Sequence, residues 1–294
     1  MNRGVVLALG AYILWGFSPL FWKLLTHIPA IQTTAHRVVW AFVLAAVVIS
    51  FQGGWQRIRH ALRHPVTVLT FIATGVLLII NWVVYVYAVN SQQVLATSLG
   101  YFIYPLFNVM LGVVVLHERL RPGQWLSVGI AAIGVAYITL SYGGVPWIAL
   151  ALPLSFGFYG LLRKVARLDS IQGLTVEMAF MTPIVLIFLL VTARNPALAQ
   201  PVGIWEIGLF ILGGAVTAVP LLLFSAGARM VPLTAVGLFQ YLAPTIQFVM
   251  SIYLFNEPFD ITQFVGFCIV WFALAIFIGE GIVTKRRIAL TYPT

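Results

Sequence analysis

Charge is scarce in this chain: only 8% of its 294 residues are Asp, Glu, Lys or Arg, against 62% that are hydrophobic. Soluble domains carry about 25% charged and about 45–50% apolar residues, so a water-solvated globule is excluded. Cysteine is scarcer still. The single Cys268 permits no internal disulfide and no thiolate metal centre, and its apolar surroundings predict a small buried hydrophobe. No GxxxxGK[ST] loop occurs, and no polar segment is long enough to form an ATP-hydrolysing domain, which excludes a primary pump for this chain alone. His60 and His64 have i,i+4 spacing, but they lie in a basic stretch with no acidic residue between them and no other plausible ligands. No metal and no cofactor are therefore expected. Catalytic residues are not expected either, because no Ser/His/Asp set and no paired carboxylates share one depth. The net charge of +9 comes from basic residues scattered between apolar blocks, which points to loops beside an anionic lipid leaflet and not to nucleic acid.

What the chain has in quantity is long apolar runs. Crossing a hydrocarbon core takes about 20 apolar residues as a helix. Such blocks fall at 4–25, 32–51, 66–89, 94–115, 123–141, 145–164, 173–192, 204–227, 233–255 and 262–280. They do not alternate polar and apolar residues at every second position, as β-barrel strands do. The first block is longer than a signal-peptide core of roughly 7–15 residues and lacks a small-residue cleavage site, so it reads as a retained spanning helix. The expected fold is an all-α polytopic membrane protein of ten helices.

Loop charge orients it. With the N-terminus inside, the inner face receives Arg3, Arg57, Arg59, Arg63, Arg119, Arg121, Arg163, Lys164, Arg167, Arg229, Lys285, Arg286 and Arg287, thirteen of the sixteen basic residues. Lys23 and Arg194 fall outside, and Arg37 falls within a span. That bias predicts a bacterial inner membrane location with both termini cytoplasmic.

The second half of the chain echoes the first. LATSLGYFIYPLFN, from Leu95, aligns with TAVGLFQYLAPTIQ, from Thr234, at an offset of 139 residues, superposing Pro105 on Pro244, Asn108 on Gln247 and Glu118 on Glu257. GFSPLFWK, from Gly16, aligns with GFYGLLRK, from Gly157, at an offset of 141. The halves, 1–143 and 144–294, each hold five expected helices. An odd number places the second half upside down relative to the first, which is the construction of many secondary transporters.

Several strings carry a resemblance. AHRVVW (Ala35 to Trp40), NWVVYVYAVN (Asn81 to Asn90), SLGYFIYPLFN (Ser98 to Asn108) and HERLRPGQW (His117 to Trp125) resemble the first half of RarD-type proteins. SFGFYGLLRK (Ser155 to Lys164), VPLLLFSAGA (Val219 to Ala228), GLFQYLAPT (Gly237 to Thr245) and WFALAIF (Trp271 to Phe277) resemble the second. RarD-type proteins form a branch of the EamA family within the drug/metabolite transporter superfamily. The resemblance implies ten helices in two EamA repeats and a transport function. Tyr104 stands where relatives tend to have Asn, and His117 where Gly before the Glu is more usual.

Within the blocks, ionisable groups are the first candidates, since each is costly in hydrocarbon and faces a cavity or a partner. Arg37 is expected to anchor an anionic group of a solute, and Glu177 or His36 to exchange protons or meet an amine. Asn81, Asn108 and Gln240 are amides able to hold a solute. Trp15, Trp82, Tyr85, Tyr101, Phe158, Tyr159 and Tyr241 are rings able to line its cavity. Pro105 and Pro244 are candidate hinges, because proline removes a helical hydrogen bond. Glu118 and Glu257 are expected to tie loops or neighbouring helices at the two mouths. The expected function is alternating-access export or exchange of a small organic solute, such as a metabolite, amino acid or drug-like compound, with proton coupling through Glu177 or His36. The partners are that solute and the lipid bilayer, with homodimer assembly left open. An intramembrane enzyme or channel acting on a small amphipathic molecule is the alternative.

Overall fold

The computed structural model describes residues 3–90, 94–141, 147–193, 195, 199–254 and 261–291, and every regular element among them is helical. In chain order these are α1 (Arg3–Trp22), a 3-10 turn (Lys23–Leu25), α2 (Ala30–Phe51), α3 (Trp55–Ala61), α4 (Pro65–Asn90), α5 (Val94–Val114) and α6 (Pro122–Ser141). They continue as α7 (Trp147–Val165), α8 (Ser170–Thr192), α9 (Ile204–Met230), α10 (Leu233–Phe239), α11 (Leu242–Tyr253) and α12 (Ile261–Thr291).

Among the described residues, eight helices are long and apolar enough to cross a membrane. The two remaining expected spans correspond to α5, whose apolar stretch Gly100–Val114 is shorter, and to α6 of 20 residues. The short α3 was not expected. It follows a turn in which Gly53 adopts φ +67, a conformation L side chains rarely adopt, and it packs Trp55, Ile58 and Ala61 against Ile49 and Phe71. The ninth expected span is broken, with α10 and α11 meeting at Gln240 and Tyr241. Proline explains the place: Pro244 in the first turn of α11 has no N–H to give back to the carbonyl of Gln240. The twin proline, Pro105, lies inside an α5 that runs through without a break.

Burial is inverted relative to a soluble protein. Ile204, Phe51 and Leu140 are at least 80% exposed, as large apolar side chains facing lipid would be. Cys268 stands on this exposed face, not in the core as its sequence context suggested. Between helices sit small residues and polar groups, the usual content of helix crossings in lipid. At two crossings the backbones touch: a Cβ on Gly214 would lie 2.6 Å from the Trp40 carbonyl carbon, and one on Gly227 would lie 2.8 Å from the Ala8 amide nitrogen.

Helices of one half pack on those of the other in matched pairs. With α1, α2, α4, α5 and α6 set against α7, α8, α9, α10–α11 and α12, the contact of α1 with α9 is matched by α7 with α4. Likewise α5 with α7 is matched by α1 with α10–α11, and α2 with α9 by α4 with α8. Counterparts α2 and α8, α5 and α10, and α6 and α12 pack directly on each other. Two matches are missing among the described residues: α7 packs on α9 whereas α1 and α4 have no comparable contact, and α5 packs on α6 whereas α10–α11 have none with α12.

Basic residues gather at one end. The Lys164 ammonium donates to the Ala228 carbonyl at 2.9 Å and to that of Val231, Arg229 donates to the Leu168 carbonyl, and Arg121 lies 3.1 Å from Glu280. Glu118, at the same end, accepts the N–H groups of Leu233 (2.6 Å) and Thr234 (3.0 Å), satisfying the free donors that open α10. His117 before it is held at φ 53, a region that favours glycine. At the far end, the Gln32 amide donates to the Gln200 carbonyl at 3.0 Å and accepts the Gln200 N–H at 2.8 Å.

Two stability predictions follow from this packing. Gly227→Val forces the α1–α9 crossing apart and should cost about 1–3 kcal/mol, read as a lower melting midpoint in detergent, whereas Gly129→Ala, with nothing within 4 Å of its added Cβ, should be neutral. His117→Gly relieves a left-handed residue and should raise stability by about 1 kcal/mol; an unchanged or lower midpoint would show that the His117 side chain contributes more than its backbone costs.

Candidate functional site

Four helices converge on Arg37, which lies about two turns into α2 from the far end. Its guanidinium carbon stands 4.5 Å from the Trp22 ring centroid of α1 and 5.2 Å from that of Trp82 of α4. Its Nε donates to the Thr217 hydroxyl of α9 at 3.0 Å. The phenols of Tyr85 on α4 and Tyr101 on α5 are within electrostatic reach. Arg37 is only half-buried and Tyr85 remains 39% exposed, although both project from central helices. A partly exposed cation thus stands among aromatic rings from α1 and α4, with a phenol of α5 near, and aromatic faces suit a guanidinium and a flat organic body alike.

Towards the basic end, rings close the interior. Tyr12 and Trp15 of α1, Phe156 and Tyr159 of α7 and Phe224 of α9 form one cluster, with centroids 5.7 Å apart for Trp15–Phe156, 5.3 Å for Phe156–Phe224 and 5.4 Å for Phe156–Tyr159. Tyr12, Tyr159 and Phe224 are fully buried.

Beyond that cluster lies a buried ion pair. Arg163 Nε stands 3.6 Å from Glu177 Oε1, and both side chains are 0% exposed. Arg163 Nε also donates to the Ser225 hydroxyl at 2.9 Å, its terminal nitrogen donates to the Ser170 carbonyl at 3.0 Å, and the Tyr159 hydroxyl donates to Glu177 at 3.4 Å. The guanidinium lies against Gly173, where any Cβ would collide with it, and 5.6 Å from the Phe71 ring. From the level of Thr217 to that of Ser225 on α9 is about 12 Å at 1.5 Å per residue. Glu177 therefore does not share a site with Arg37. Arg163, read in the sequence as one more loop cation, is instead fully buried; its position beside Lys164 at a helix end gave no sign that α8 would supply a carboxylate.

The other expected residues separate into two groups. Trp82, Tyr85 and Tyr101 gather at Arg37, while Trp15 and Tyr159 belong to the ring cluster. Asn81 is buried and donates to the Tyr104 hydroxyl (2.7 Å), the Ser155 hydroxyl (3.0 Å) and the Leu152 carbonyl (3.1 Å), binding α4 to α5 and α7. Asn108 donates to Gln240 at 2.9 Å, joining α5 to the α10–α11 break. Tyr241, 1% exposed, donates to the Phe102 carbonyl and packs in the core near α12. Phe158 is 41% exposed and packs edge-on against Phe107. His36 stacks on Phe210 with centroids 4.0 Å apart. Glu257 lies outside the described residues. Trp22 and Thr217, which complete the Arg37 site, went unnoticed in the sequence because a Trp near a helix end reads as interfacial belt and a lone Thr carries no motif.

Comparison with known proteins accords with this architecture. The profile of the EamA-like transporter family matches residues 2–140 and again residues 144–279. An uncharacterized transporter of Pseudomonas aeruginosa is 41% identical over 98% of this chain and 97% of its own. The uncharacterized transporter YojE of Bacillus subtilis is also 41% identical, over 97% and 96% of the two chains, and the protein RarD of Escherichia coli is 37% identical over 97% of each. A solved crystal structure with 17% identity superposes with a TM-score of 0.73 over 94% of this chain and 97% of its own, which shows a shared fold. Matched twice along nearly its whole length, the chain belongs to the EamA-like transporter family.

Proposed function

We propose that the protein is a secondary transporter that moves a small organic solute across the bacterial inner membrane by alternating access. In this reading the eight apolar helices, with α5 and α6, make ten crossings arranged as two inverted five-helix halves. The basic end, with both termini, faces the cytoplasm. The observation that carries the reading is a difference between the two ends: α7 is joined to α9 at the basic end through Arg163–Ser225 and Lys164–Ala228, whereas their twins α1 and α4 have no comparable contact among the described residues. A carrier built from two copies of one unit has this asymmetry in each of its end states, open on one side and closed on the other. In this reading the partly exposed Arg37 faces the periplasm, while the ring cluster and the Arg163–Glu177 pair seal the cytoplasmic side.

Proton coupling follows from the seal. A proton on Glu177 removes the charge that holds Arg163, so the cytoplasmic end opens more readily when Glu177 is neutral. Transport by export or exchange then draws on a solute or proton gradient.

Counterflow in proteoliposomes tests the carrier: unlabelled solute on the far side should accelerate uptake of labelled solute, as a channel would not allow, and a chemically altered product would reveal an enzyme instead. The seal is tested in a Cys268→Ser background. Ser225→Cys, at a position 1% exposed, should resist a membrane-impermeant thiol reagent applied from the cytoplasm. Adding Glu177→Gln should raise its labelling rate about tenfold, the effect expected from about 1.4 kcal/mol of lost closure. The Glu177→Gln protein should also lose its response to an imposed pH gradient while retaining exchange; a full response would remove Glu177 from the coupling.

A further inference from the structure

Among the described residues, no carboxylate pairs with Arg37. The chain has seven acidic residues. Five are described, and each is committed elsewhere: Glu118 to the start of α10, Asp169 to the Gln172 N–H at the start of α8, Glu177 to Arg163, Glu206 to the Gly203 N–H and His27, and Glu280 to Arg121. Glu257 and Asp260 lie outside the described residues. Arg37 spends its Nε on Thr217, and its terminal nitrogens make no hydrogen bond to any described residue. A guanidinium within a span needs an anion or water, and its two terminal NH2 groups present a fork matched to one carboxylate.

The walls narrow the choice further. Trp22 and Trp82 face the guanidinium, with Tyr85 and Tyr101 nearby, so a flat or apolar body can lie along rings while its acid group meets the fork. An ammonium group fits poorly, because Glu177 is sealed away with Arg163 at the opposite end and Arg37 itself would repel it. A single cation also favours one negative charge over two.

We propose that the solute is a monoanionic organic acid with an aromatic or apolar body, held by Arg37 through its carboxylate and by Trp22, Trp82, Tyr85 and Tyr101 along its body. The proposal rests on the carrier reading given above, and names the class of solute for that site.

The test is titration of the purified full-length protein in nanodiscs, following tryptophan fluorescence, with phenylacetate, benzoate and octanoate. Phenylacetamide serves as the neutral counterpart and phenylalanine as the zwitterion. At least one of the acids should quench saturably. The amide and the amino acid should bind more weakly by about tenfold to a hundredfold, as loss of a charge-assisted contact implies. Arg37→Gln should abolish the preference for acid over amide, and Arg37→Lys, which keeps the charge without the fork, should retain part of it. No saturable acid binding, equal binding of the amide, or a preference for phenylalanine overturns the proposal, and none of these comparisons depends on a variant folding. Counterflow separates the two readings. Acid binding without counterflow keeps the anion site and removes the carrier, whereas counterflow of amines or neutral solutes without acid binding keeps the carrier and removes the anion site.

Discussion

The cost of a charge away from water governs the interior of this protein. Insertion scales put it at about 2.5–3.5 kcal/mol for one ionisable side chain at mid-span, so each such group survives only with a partner or a watery cleft. The chain resolves this in two ways at two levels. Arg163 and Glu177 compensate each other, helped by a serine, a tyrosine and a backbone carbonyl although one nitrogen of Arg163 and Oε1 of Glu177 have no hydrogen bond, and the price is rigidity: α7, α8 and α9 are bound together. Among the described residues Arg37 receives only a hydroxyl and two indole faces.

The contrast between these arginines is one of burial: Arg163 is fully buried and Arg37 only partly. At the repeat offset of 141, Arg163 corresponds to Trp22 and Glu177 to His36, so the sequence counterpart of the buried ion pair is an indole and a histidine. A carrier with identical halves would hold both sides with equal strength. At the basic end the helices are fastened by a buried ion pair, whereas the far end has aromatic surface with the paired Gln32–Gln200 hydrogen bonds and the exposed His27–Glu206 contact.

The spans were legible because hydrocarbon thickness imposes length. Most expected blocks find a helix with ends within a few residues, since about 20 apolar residues have few alternatives in a membrane; the exceptions are 233–255, split into α10 and α11, and 262–280, whose helix α12 runs on to Thr291. The glycine-rich turn at 52–54 was legible too, but not the short α3 after it, whose burial of Trp55 and Ile58 depends on α2 and α4 being near. Arg37 stood out because it interrupts an apolar run. Its neighbours did not, because Trp22, Trp82 and Thr217 come from three other helices and only packing brings them together. Arg163 was misjudged for a related reason: at a helix end beside a lysine, sequence offers only the loop reading, and burial was decided by Gly173 leaving room for a guanidinium. Asn81 and Asn108 have the same composition as solute ligands, and the structure assigns their donors to neighbouring helices.

Proline divides the two halves in a way that equivalence in sequence conceals. Pro105 and Pro244 occupy matched positions, yet α5 is continuous and its twin is two helices. The break at Gln240–Tyr241 leaves Gln240 to accept from Asn108 on α5, close to where Gly237 approaches the Pro105 carbonyl. The unbroken helix and the broken one thus meet at the crossing that joins the two halves. Asn108 and Gln240 put polar groups beside the broken backbone, which is the condition that lipid places on any non-helical segment within a membrane.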